Sequence, residues 1–220
     1  MEKKIVVQKN KVIEFSDERS KKLVENAIKK NEKFFGNLVC DFSVTFLKTR
    51  KEYDKVHGSP TKEWSVGGMY GTGKIYLFDE DVFDKVSCYP KESFYEILTH
   101  EIAHVFVQEN FDWTLPAWLN EGIACAAAEQ DKTTREPLFD LREAYTEEEW
   151  NKDYPYGTSG KYVRHLIDNY GKEKIIELMK SLIKDETKEN FKIKFKKIYN
   201  IDLDNDFGNW MNKQKRKNNK

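Results

Sequence analysis

Little in this chain of 220 residues points to an oxidising or membrane setting. It has only three cysteines, Cys40, Cys88 and Cys125, widely spaced and odd in number. That excludes a disulfide framework and a CxxC metal knuckle, and leaves reduced, buried thiols as the expectation. Long apolar runs are missing as well. The longest near-apolar stretch, residues 122–128, is too short to span a bilayer. Near the start, Ile5-Val6-Val7 is followed at once by polar residues, far short of the apolar core of a secretory signal, so a cytoplasmic location is expected. Net charge is also absent. Lys plus Arg and Asp plus Glu each count 38, so no whole-chain field draws the molecule toward nucleic acid or an anionic membrane, and neither is expected as a partner. What is plentiful is charge, at 35%, and aromatic side chains, at 14%, which a disordered chain could not hide. The length suits one substantial domain, or one domain with two lobes.

Two short β-prone runs, 4–7 and 12–15, open the chain. Ser16 then reads as a helix N-cap, with Leu23, Val24, Ala27, Ile28 and Phe34 at helical spacing and Gly36 as the stop. Residues 40–47 alternate as a strand does, with Phe42, Val44 and Phe46 on one face. The polar stretch 48–62 reads as connection, and His57 within it as a surface histidine. Segments 64–70 and 74–78 then form a hairpin through Gly71-Thr72-Gly73. After Pro90 the period changes to helical, with Phe94, Leu98, Ile102 and Val105 as one apolar stripe. A second helix is expected from Pro116, a favourable first-turn residue, through Ala128. In the polar stretch 130–155, Glu147-Glu148-Glu149 reads as a solvated turn. Further helices are expected at about 157–169, 172–184, 187–199 and 204–214. Lys213, Lys215, Arg216, Lys217 and Lys220 then read as a frayed, solvated end. Strands first and helices after make the fold class α+β. The expected organisation is a single domain, 1–220. Its first part, 1–110, holds a small, mostly antiparallel sheet, and 111–220 is a helical lobe.

Chemistry concentrates in His100-Glu101-Ile102-Ala103-His104. Two histidines four apart on a helix return to nearly the same face, roughly 6 Å further along, so their imidazoles can converge on one tetrahedral ion. Glu101 projects beside that position, where it can hold a water and take its proton. Without a metal this helix would carry three ionisable groups on one side of an apolar element, which is costly. On the second helix Glu121 stands in Leu115-Pro116-Ala117-Trp118-Leu119-Asn120-Glu121-Gly122-Ile123-Ala124, a carboxylate among apolar neighbours that a zinc ion would explain.

His100-Glu101-x-x-His104, with sixteen residues between His104 and Glu121 of Trp118-Leu119-Asn120-Glu121-Gly122, resembles the gluzincin zinc peptidases, in particular the compact peptidase MA-like family. Looser similarities extend over residues 42–212. They take in the glycine-rich hairpin from Val66-Gly67-Gly68-Met69, the segment from Tyr156-Gly157-Thr158-Ser159 to Leu166, and Phe191 to Trp210. The resemblance implies a zincin-like fold, with one zinc held by His100, His104 and Glu121. It implies hydrolysis of peptide bonds by a zinc-activated water, with Glu101 as the general base and a peptide or protein as substrate. It also implies an oxyanion donor from the downstream lobe. Tyr156 is the first choice for that role, with Tyr154, Tyr162 and His165 as competitors. One departure stands out: where thermolysin-type gluzincins carry an acidic residue four positions after the third ligand, this chain has Cys125.

Other readings are weaker. Gly68-x-x-x-x-Gly73-Lys74 approaches a P-loop, but Ile75 replaces the Mg²⁺-binding Ser or Thr and a strand follows where a helix is required. A non-haem iron oxygenase also uses two histidines and a carboxylate, yet has no need of a glutamate directly after the first histidine. A non-catalytic, zinc-stabilised binding module has no use for a base beside its metal. In the peptidase reading, residues 74–78 are expected to form the sheet edge that pairs with an extended peptide.

Overall fold

The structure is a computed structural model and describes residues 3–36, 38–111, 116–132 and 137–218. Leu115 and Lys220, named above, lie outside that range. The chain divides into two compact units, Met1–Asn110 and Phe111–Lys220. Among the described residues all five strands lie in the first, and the class is α+β. Among the described residues no helix is long and apolar enough to cross a membrane.

In the first unit, β1 (Lys3–Gln8) and β2 (Lys11–Phe15) form a hairpin whose turn residues, Lys9 and Asn10, both take positive φ. The Asn10 side chain holds the turn, donating to the Leu38 carbonyl at 2.9 Å and accepting from the Cys40 amide at 2.9 Å. Helix α1 (Glu18–Phe35) follows, capped by Asp17 rather than Ser16. The Ser16 hydroxyl instead accepts from the Lys4 amide across the hairpin, at 2.9 Å. Asp17 takes over the helix end through the Ser20 amide, also at 2.9 Å.

Strands β3 (Phe42–Leu47), β4 (Gly67–Tyr70) and β5 (Lys74–Phe78) complete a five-stranded sheet in the order β2-β1-β3-β5-β4. β3 and β5 pair in parallel, while the other neighbours are antiparallel. A parallel pair needs a crossover. The stretch expected to be plain connection supplies one as helix α2 (Arg50–His57), built on a Thr49/Glu52 capping box and closed by Gly58 at φ 85°. His57 is exposed at its end, with Nδ1 3.0 Å from the Ser59 hydroxyl.

The hairpin of β4 and β5 forms as expected, but β5 is not the sheet edge. It is bonded to β3 on one side and β4 on the other, so the expectation that residues 74–78 pair with a peptide is overturned. The edges are β4 and β2. The β2 edge carries a register shift opposite Val6 and Val7, whereas β4 runs in continuous register from Gly67 to Tyr70.

Tyr53 of α2 packs on Phe78 at 5.2 Å between ring centres, covering one face of the sheet. Side chains alternate along a strand, so the neighbouring Leu77 points to the other face. There lies α4 (Phe94–Asn110), which also packs on α1. A short helix, α3 (Phe83–Val86), precedes it. Of the cysteines, Cys40 and Cys125 are buried and in no disulfide, as expected, and burial pushes the Cys40 thiol up to about 12. Cys88 is exposed, which corrects the expectation for that residue.

The second unit is helical. It comprises α5 (Ala117–Ala128), α6 (Glu147–Asp153), α7 (Tyr156–Tyr170), α8 (Lys172–Ser181), α9 (Lys188–Tyr199) and α10 (Leu203–Asn218). Glu147, Glu148 and Glu149 are not a loose turn but the first turn of α6. Carboxylates there favour the positive end of the helix dipole, and Glu149 closes a capping box with Thr146. The basic residues 213–217 likewise continue α10 rather than fray. α5 and α7 cross closely, and Arg164 of α7 reaches the nearly buried Asp131 at 3.1 Å and the Ala126 carbonyl at 2.8 Å.

Candidate metal centre

Helix α4 is apolar almost all round, with Leu98, Ile102, Ala103, Val105 and Phe106 fully buried. Among them His100 is 7% exposed and Glu101 8%. His100 Nε2 and His104 Nε2 face each other at 3.0 Å, with the ring planes 80° apart. The backbone just ahead of His100 is fixed from two directions. Thr99 donates its hydroxyl to the Tyr95 carbonyl at 2.7 Å, and the buried Asn31 side chain of α1 donates to the Thr99 carbonyl at 3.1 Å.

Glu101 is held against the edge strand. A Cβ added to Gly67 would stand 2.7 Å from Leu77 Cδ1, 3.4 Å from Glu101 Cγ and 3.5 Å from Glu101 Oε1, so β4 passes within ordinary contact of this side chain. The Tyr53 hydroxyl donates to the Gly67 carbonyl at 2.7 Å and steadies the strand at that point. Burial pushes the Tyr53 and Tyr70 hydroxyls up, and the Glu101 carboxylate adds to the effect in both.

Glu121 comes from α5, where Pro116 is the N-cap. The register of α5 is set by close packing on α7. A Cβ on Gly122 would stand 2.7 Å from the Ser159 carbonyl oxygen, and one on Gly160 would stand 2.8 Å from Cys125 Cβ. Cys125 therefore lies in the α5–α7 seam, which explains a small thiol there: a carboxylate would have to be buried against Gly160.

His100, His104 and Glu121 each offer one ligand atom, and these atoms all lie within 4.8 Å of one another. A tetrahedral ion with bonds of about 2.0–2.1 Å sets its ligand atoms about 3.4 Å apart. The 3.0 Å histidine pair is within a few tenths of that spacing, so the two imidazoles suit a metal ion.

The four candidate oxyanion donors fare differently. Tyr156 opens α7, half-buried, with its ring edge-on to Trp150 at 5.0 Å. Tyr154 is the left-handed C-cap of α6, at φ 47°. The buried Tyr162 donates its hydroxyl to Asp206 Oδ2 at 3.0 Å. His165 lies on the Tyr162 ring, with Nε2 3.3 Å from the same oxygen. Tyr170 reaches Asp206 Oδ1 at 2.8 Å. Burial alone would raise the Asp206 carboxyl, but His165, Tyr170 and Tyr162 around it outweigh that and leave it below the ordinary range. Tyr162 and His165 thus belong to a cluster built on Asp206.

Gly67 and Asn31 were missed by the sequence reading of the site. For Gly67 a signal existed, since paired glycines inside a strand mark close backbone approach. For Asn31 none did. No family model, curated protein or solved structure matches the chain.

Proposed function

We propose that this chain is a zinc-dependent peptidase of the gluzincin type. The observation that carries the reading is the grouping of His100, His104 and Glu121, with the nearly buried Glu101 next to His100 in sequence. Two imidazoles and a carboxylate are a catalytic zinc donor set, leaving one position open. A bound zinc ion supplies Lewis acidity and lowers the pKa of water to about 7. Glu101 then serves as general base toward the attacking water and passes the proton to the leaving amine. Gly67 of β4 lies beside its side chain. A base beside the metal group favours catalysis over a purely structural site.

The substrate is a peptide in extended form. Strand β4 suits it better than β2, because β4 is an edge in continuous register. Tyr156 remains the proposed oxyanion donor.

The test is hydrolysis of a mixed peptide library together with metal analysis of wild type and Glu101→Gln. The variant should keep its zinc while hydrolysis falls roughly 10²-fold or more. Wild-type rates in Glu101→Gln would overturn the mechanism, and a wild-type protein that takes up no zinc would overturn the site.

A further inference from the structure

Strand β4 presents different chemistry on its two faces. Gly67 pairs with Leu77 and lies against Glu101, on the side of α4. Side chains alternate along a strand, so Gly68 and Tyr70 stand on the other side, with α2. There the Tyr70 ring folds back along the strand. A Cβ added to Gly68 would stand 3.0 Å from Tyr70 Cε2 and 3.4 Å from its Cζ and its hydroxyl oxygen. The rings of Tyr76, His57 and Tyr53 are centred 5.7, 6.3 and 6.5 Å from that of Tyr70, each edge-on to it. Tyr53 is buried, whereas Tyr70 and Tyr76 are half-buried and His57 is exposed. The sheet edge therefore carries a shelf of rings that solvent reaches.

A peptide on β4 would bring every second side chain to this shelf. A chain added to an edge strand sits about 4.8 Å away, and its side chains alternate between the two faces. Those on the α4 side point toward Glu101, and those on the α2 side stand beside Gly68 and Tyr70. Opposite Gly68 the peptide meets no side chain of the strand itself, so its own side chain packs on the Tyr70 ring that lies over the glycine. An aromatic side chain suits that place, since ring pairs favour edge-on contact with centres about 4.5–7 Å apart. The charges on this face act against a basic one. Lys74 stands opposite Tyr70 in the register and is exposed, and the Arg50 guanidinium lies over the Phe78 ring at 4.6 Å. Asp54 of α2 is already engaged by the Thr61 amide and hydroxyl, at 2.8 and 2.6 Å.

We propose that Tyr70, with Gly68 beneath its ring, is a specificity-determining residue that selects an aromatic side chain at one position of the extended peptide substrate. The selection rests on the peptidase reading and on β4 as the strand that holds the peptide. Glu101 lies on the opposite face of that strand, so Tyr70 acts on which peptide is held and leaves the proton transfer to Glu101.

The test starts from a peptide library randomised at every position, digested by the zinc-loaded full chain and read by mass spectrometry. Phe, Tyr and Trp should be enriched roughly 2–10-fold at one fixed position relative to the cleaved bond, with Lys and Arg depleted there. The best peptide and its version with glycine at that position are then titrated by calorimetry onto Glu101→Gln, in which hydrolysis is slow. The aromatic peptide should bind roughly 2–10-fold more tightly, and adding Tyr70→Ala should bring that ratio to about one. Gly68→Ala, whose Cβ displaces the ring without removing it, should lower the ratio as well, and undiminished zinc content will verify that each variant folds. Cleavage without aromatic enrichment, or a binding ratio that Tyr70→Ala and Gly68→Ala leave unchanged, would overturn the proposal and leave the peptidase reading in place. A chain that takes up zinc and cleaves nothing in the library would overturn the peptidase reading, and the proposal with it.

Discussion

Replacing Gly122 by alanine puts two opposing effects into one methyl group. In a helix interior alanine is favoured over glycine by about 0.8–1.0 kcal/mol. At Gly122 the new Cβ would lie 2.7 Å from the Ser159 carbonyl oxygen, 2.7 Å from Val163 Cγ2 and 3.0 Å from the Ser159 carbonyl carbon. Two of those atoms are backbone and cannot swing aside, so α7 must retreat by about 0.7 Å to reach ordinary contact at 3.4 Å. Overpacking of this kind costs about 1–3 kcal/mol, and a backbone obstacle puts it in the upper half of that range. The net expectation is a loss of about 1–2 kcal/mol, or roughly 2–8 °C in Tm for a chain of this size. Gly208 provides the control. It lies inside α10 with nothing within 4 Å of its added Cβ, so Gly208→Ala should gain about 0.8–1.0 kcal/mol, roughly 2–4 °C. Thermal unfolding followed by circular dichroism at 222 nm, the standard helix band, measures both. A Gly122→Ala variant as stable as Gly208→Ala would refute the close α5–α7 seam.

The remaining predictions concern the site and the Asp206 cluster. His100→Ala, His104→Ala and Glu121→Ala should each lose most bound zinc by elemental analysis, since each removes one of three protein ligands. Full occupancy in all three would reject the group. Tyr156→Phe deletes only a hydroxyl and should lower turnover by about 10²–10³ with zinc content unchanged, the loss typical of one oxyanion donor. Unaltered turnover would remove Tyr156 from that role. Asp206→Asn should destabilise the protein by about 1–3 kcal/mol at neutral pH, because Tyr162 and Tyr170 then meet a neutral acceptor. The native Asp206 carboxyl sits below its unfolded value, so its contribution is fully present above the ordinary carboxylate range and disappears as pH falls through the native value. The gap between wild type and variant should therefore close in acid, and denaturant titrations at neutral and acid pH will show whether it does.

Where a segment's fate was decided by its own residues, the sequence was readable. Gly36 ends α1, Pro116 starts α5, and the run 74–78 is a strand to the residue. Two helices were equally local and still overlooked: Thr49-x-x-Glu52 and Thr146-x-x-Glu149 are capping boxes in stretches too polar to show an apolar stripe. The place of β5 inside the sheet was of another kind. The hairpin announces its β4 partner, but the parallel bond to β3 depends on how the chain returns over α2, which no pattern in either strand records. The same division runs through the site. The spacing of His100 and His104 is a property of one helix. The closeness of Gly67 to Glu101, and the engagement of Tyr162 by an aspartate 44 residues away, are products of folding.

The buried Asn31 has a further consequence. Its amide nitrogen bridges the Ala27 carbonyl of its own helix, at 3.0 Å, and the Thr99 carbonyl of α4, at 3.1 Å. The bond to Thr99 is a polar cross-link between two helices in an apolar interior and is costly to break, because the Asn31 amide and the Thr99 carbonyl would each lose a partner out of reach of water. With α1 and α4 also packed together, opening the histidine-bearing turn is coupled to α1. Anything that binds His100 and His104 should then slow amide hydrogen exchange around residues 27–31, far along the chain from the ligands, as if the N-terminal helix had felt the ion itself.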